Sequence, residues 1–100
     1  MNLNFTLTNE RLGRSVAWVA EFKATSSFNL HVERKGMGKF AIKQRTTTSG
    51  EYADLDNIGA DLKKVIDIDF TGGIFPKDIR IVCESQPIMA YVTFAEQYEG

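Results

Sequence analysis

Between Ser27 and Arg45 apolar and polar residues alternate. Phe28, Leu30 and Val32 are interleaved with Asn29, His31 and Glu33; after Arg34-Lys35-Gly36-Met37-Gly38 the rhythm resumes with Phe40 and Ile42 against Lys39, Ala41 and Lys43. Successive side chains of an extended strand point to opposite faces, so a period of two predicts two half-buried strands. With a glycine-rich connection between them, the pair reads as a β-hairpin.

The same rhythm recurs along the chain. Phe5 and Leu7 predict a short first strand, and residues 1–14 read as an N-terminal arm or an edge strand. From Ser15, Val16, Trp18, Ala20 and Phe22 alternate with Ala17, Val19, Glu21 and Lys23, so this strand has two partly apolar faces and must be central or covered. Tyr52 to Leu55, Val65 to Phe70, Ile79 to Glu84 and Ile88 to Phe94 complete the set. Ser/Thr/Gly and Pro clusters separate the runs at spacings of about ten residues. Between Ile58 and Val65 there is room for one or two helical turns at most. The expectation is an all-β chain: a single small antiparallel β-sandwich of 7–8 strands, jelly-roll or Ig-like, spanning residues 1–100 as one domain.

Composition narrows the function. Twelve Lys and Arg against 13 Asp and Glu leave a net charge of −1, which gives no field to attract a polyanion, so nucleic acid is not an expected partner. Cys83 is the single cysteine, which rules out an intrachain disulfide, and its place between Val82 and Glu84 predicts a small buried hydrophobe. The first residues lack the basic and apolar regions of a secretory signal, and no apolar run is long enough to span a bilayer; the expectation is a protein made and used without export or a membrane anchor.

Candidate chemistry is sparse. The single histidine, His31, falls on the outward side of its strand and reads as solvated, while Cys83 reads as inward, so a Cys–His dyad is not expected. Asp54, Asp56, Asn57 and Asp61, and separately Asp67 and Asp69, have the alternate spacing of calcium ligands but lack the glycine and terminal glutamate of an EF-hand loop. On a strand, Asp67 and Asp69 serve to keep one face wet. No catalytic residue, cofactor or metal is expected. The residues expected to meet a partner are those of the basic connection, Arg34, Lys35, Met37 and Lys39.

The run Ala24-Thr-Ser-Ser-Phe-Asn-Leu-His-Val-Glu-Arg34, a glycine turn, Lys43-Gln44-Arg45-Thr46, a Ser/Gly turn with Tyr52, then Ile79-Arg80-Ile81-Val82 and Ala90-Tyr-Val-Thr-Phe94 together resemble small β-sandwich proteins carried on tailed-bacteriophage particles. That family usually has Asp-Gly-Gly followed by tryptophan where this chain has Ser49-Gly50-Glu51-Tyr52. The resemblance implies a non-enzymatic virion component, a capsid decoration or head-fibre protein, made in the bacterial cytoplasm. It implies a homo-oligomer, with a trimer favoured, and other virion proteins as partners. The alternative is a carbohydrate-binding sandwich that stacks sugars on Tyr52, Phe75, Tyr91 or Tyr98.

Overall fold

The computed structural model describes residues 1–12, 15–46, 50–55, 62–71 and 73–95, and the side chains of all of these except 10–12 and 15. Strands follow one another as β1 (Thr6–Leu12), β2 (Ser15–Ala24), β3 (Phe28–Arg34), β4 (Phe40–Arg45), β5 (Ala53–Leu55), β6 (Val65–Phe70), β7 (Lys77–Cys83) and β8 (Pro87–Phe94). Among the described residues there is no α-helix. Of the stretch expected to hold a helical turn or two, residues 58–61 lie outside the described residues and Val65 already belongs to β6.

Two antiparallel sheets face one another, one in the order β1-β2-β7-β4-β5 and one in the order β6-β3-β8. Residues 1–3 extend the smaller sheet past β8: Asn2 bridges Tyr91, Val92 N–H donates to the Met1 carbonyl at 2.8 Å, and Leu3 N–H donates to the Ala90 carbonyl at 2.9 Å. The chain then crosses to the larger sheet, where β1 forms one edge and carries a register shift between Leu7 and Arg11. The antiparallel partnerships are therefore nested. The N-terminal segment pairs with β8, β2 with β7, β3 with β6, and β4 with β5. This is the pairing order of a jelly roll, and it decides between the two sandwich types the sequence allowed.

The hairpin expected from residues 27–45 does not form. β3 pairs with β6 and β8, and β4 pairs with β5 and β7, so the two runs lie in opposite sheets. Alternation specifies which face of a strand is apolar and leaves the partner strand open. Here the apolar faces of β3 and β4 meet across the core, and residues 35–39 cross between sheets that pack about 10 Å apart. Backbone bonds to the β7–β8 connection, which makes the same crossing, hold this bridge: Lys35 N–H to the Gln86 carbonyl at 3.0 Å and Glu84 N–H to the Lys39 carbonyl at 2.9 Å.

Between the sheets Leu30, Val32, Ile42, Ile79, Ile81 and Val92 are fully buried. Each such aliphatic side chain contributes roughly 1.5–3 kcal/mol relative to exposure. At one end the core turns aromatic, with Phe28 stacked on Phe70 at 4.9 Å and edge-on to Phe22 at 5.3 Å. Trp18 packs against this core while partly exposed. The second apolar face of β2 has its own small buried cluster, Ala17 and Val19 with Val82 of β7, on the opposite side of the larger sheet.

Candidate functional site

The outward face of the smaller sheet gathers most of the chain's polar candidates. Phe28, Leu30 and Val32 turn inward, so Asn29, His31 and Glu33 turn outward, and cross-strand register fixes their neighbours. Across the middle, His31 lies between Asp67 of β6 and Tyr91 of β8; toward one end Glu33 lies between Val65 and Met89, and toward the other Asn29 lies between Asp69 and Thr93.

His31 is held rather than solvated. Its Nδ1 lies 2.8 Å from Asp67 Oδ2 and its Nε2 lies 2.9 Å from Glu33 Oε2, its ring stacks on Tyr91 at 4.9 Å, and its side chain is 14% exposed. A carboxylate oxygen only accepts, so both ring nitrogens must carry hydrogen, and the group bound here is the imidazolium. The hydrogen bond to Glu33, then that to Asp67, raise the His31 pKa above its ordinary 6.5. Asp67 moves the opposite way, lowered first by the Asn29 amide, which donates to its Oδ1 at 2.7 Å, and then by His31. The same Asn29 amide donates to Asp69 Oδ1 at 2.9 Å. One amide and one imidazolium thus serve three carboxylates.

At the far end of β3 the sign reverses. Lys35 and Lys39 are exposed, and Met37 at the tip is 61% exposed. Arg34 is not part of this surface: it is 3% exposed, and its guanidinium donates to the carbonyls of Gly38 at 3.0 Å, Lys39 at 3.4 Å and Lys63 at 2.6 Å while lying over the Phe40 ring. An arginine that closes β3 on the inward phase of the alternation is drawn into the sandwich end, where three carbonyls require a donor. Of the four residues expected to meet a partner, Arg34 shapes the bridge, and Lys35, Met37 and Lys39 present it.

The remaining candidates are dispersed. Cys83 is buried in the core between the sheets, with the smaller sheet separating it from the outward His31 surface, and burial pushes its thiol up to about 12. Asp54 pairs with Lys43 across β5 and β4, while Asp56, Asn57, Asp61 and Tyr98 lie outside the described residues. Among the described residues no group of three or more His, Cys, Asp or Glu side chains is arranged to hold a metal ion. Tyr52 donates to Glu21 Oε2 at 2.8 Å, burial and that bond push its phenol up to about 12, and Arg45 covers its ring at 4.4 Å. Phe75 lies under Lys77 Nζ at 4.8 Å. Of the described aromatics considered for sugar stacking, Tyr91 is the one on the outward face of the smaller sheet, with its ring already stacked on His31.

Sequence reasoning placed Asn29, His31, Glu33, Asp67 and Asp69 on outward faces but could not see that they form one surface, because that depends on the β3–β6 register. The available signal was the pair of alternating polar triplets and doublets in separate strands. No known protein family, curated protein or solved structure matches this chain.

Proposed function

We propose that this chain is a non-enzymatic structural protein of a tailed-bacteriophage particle, a capsid decoration or head-fibre jelly roll that associates with copies of itself and docks on the particle. The observation that carries the reading is the separation of charge along β3: Asp67, Asp69 and Glu33 gather on the sheet face, and Lys35 and Lys39 stand at the crossing that follows. A module with an acidic face and a basic end fits head-to-tail association, in which unlike surfaces of successive copies meet and a suitable rotation closes a ring. The nested sheet order adds weaker support, because jelly rolls recur in capsid and lectin domains and a fold alone does not fix a function.

The test is light scattering on the eluting protein together with co-sedimentation on phage capsids. The expected result is a trimer at micromolar concentration that sediments with capsids and dissociates as salt is raised. A monomer at that concentration with no affinity for capsids would overturn the reading. Binding to a glycan array that disappears in Tyr91→Ala would favour the carbohydrate-binding alternative.

A further inference from the structure

Among the described residues, Arg34 and Lys77 are the two buried charged side chains. Their surroundings differ. Arg34 is surrounded by carbonyl acceptors, whereas Lys77, 9% exposed, has one hydrogen bond among the described residues, from Nζ to Gln44 Oε1 at 3.0 Å, and one ring contact, with Phe75. An ammonium carries three hydrogens and is costly to bury without a counter-charge. No carboxylate of the described residues supplies one within salt-bridge distance.

Lys77 forms part of the wall of a cavity of about 420 Å³ at the mouth of the sandwich, where the larger sheet's β4, β5 and β7 face the end of β6. Leu55, Phe70 and Ile74 give it apolar walls, and Gln44, Thr46 and Thr71 complete the lining. Its size falls within the range of small-molecule sites, which combine a mostly apolar lining with a few placed polar groups. Gly73 forms the rim with φ +93°, and a Cβ there would come within 3.3 Å of Lys77 Nζ, so the glycine leaves the ammonium room to face the cavity.

We propose that this cavity binds a small apolar monocarboxylate, with the carboxylate on Lys77 Nζ and the hydrocarbon body against Leu55, Phe70 and Ile74. One ammonium, with no guanidinium fork beside it, matches a single negative charge better than a phosphate. The apolar walls select for a body that water does not hold. The site is independent of the structural role proposed above, since it lies on neither the acidic face nor the basic end.

The test is titration of the full chain with octanoate, followed by amide chemical shifts, with 1-octanol and inorganic phosphate as controls that carry only the chain or only the charge. Octanoate is expected to saturate with a dissociation constant at or below about 1 mM, with shifts concentrated at Leu55, Phe70, Ile74 and Lys77, and each control to bind at least about tenfold more weakly, the loss expected for about 1.4 kcal/mol. Lys77→Met should lose this preference for octanoate over octanol. Because that variant also alters a buried side chain, Ile74→Asp provides a second arm: Ile74 is 73% exposed, so the fold tolerates the change, and the new carboxylate should weaken octanoate about tenfold. No saturable shift, equal binding of octanol or phosphate, or undiminished binding by Ile74→Asp would each overturn the proposal.

Discussion

His31 and Asp67 face each other across β3 and β6, joined Nδ1 to Oδ2 at 2.8 Å, and each moves the other's titration in the direction that keeps both charged. A folded-state pKa above the ordinary 6.5 means that His31 adds stability present in full below that pH and lost as pH rises through the raised value. Asp67, lowered from its ordinary 3.8, adds stability present above that pH and lost as pH falls through the lowered value. The clamp is whole between the two. Tm measured against pH should show the wild type above His31→Gln by the equivalent of about 1 kcal/mol near pH 5, as for a partly exposed ion pair, with the gap closing on the alkaline side. A gap that stays constant to pH 9 would show that the imidazolium contributes nothing.

Removing the buried guanidinium should be far more costly than removing either neighbouring lysine. Arg34→Met leaves the Gly38, Lys39 and Lys63 carbonyls without their donor, at a cost of about 3 kcal/mol and a fall in Tm of about 15 °C for a domain of this size. Lys35→Ala should change Tm by less than about 3 °C, within the usual surface range. Equal effects would return Arg34 to the surface.

Gly38 provides a backbone test of the crossing between the sheets. Its φ is +152°, and a Cβ would stand 2.8 Å from Glu84 Oε1, the atom that accepts the Lys39 N–H at 3.2 Å. Gly38→Ala should therefore lose about 1–2 kcal/mol from strain and the displaced carboxylate together. Denaturant midpoints measure this, and an unchanged midpoint would mean the turn relaxes freely.

Cys83 should resist a thiol reagent in the native state and react at a rate set by opening of the sandwich. Burial raises its thiol to about 12 and removes it from solvent. Labelling in increasing denaturant should follow the unfolding curve; labelling as fast as that of a free thiol in buffer would contradict the burial.

If unlike surfaces join successive copies, reversing charge on one surface should abolish association and reversing it on the other should restore it. Lys35→Glu with Lys39→Glu is expected to give a monomer, and mixing it with Asp69→Lys is expected to recover a mixed oligomer detectable by light scattering. Oligomers unaffected by the double reversal would exclude that arrangement of copies.

Most of the architecture could be read from the periodicity of the chain. Phe28, Leu30, Val32, Phe40 and Ile42 are buried as their phase requires, because face preference is local in sequence. Partner choice is not local, which is why the Ser27–Arg45 run looked like a hairpin and why His31 looked solvated although Asp67, distant in sequence, holds it. A lysine inside a sandwich contradicts its usual exposure, and only the closure of two sheets around Lys77 shows where it lies.

The nested partnerships also constrain how this chain reaches its native state. Among the nested pairs β4 and β5 close the shortest loop, whereas the segment around Asn2 must find Tyr91 near the opposite end of the chain. Closing long loops is entropically costly before any contact offsets it, so assembly from the innermost pair outward is favoured, and folding should fall in the slow, millisecond-to-second class of domains dominated by distant pairings. Until the outermost pair forms, β8 has an open edge, and that interval is when a crowded mixture of copies is most exposed to mispairing.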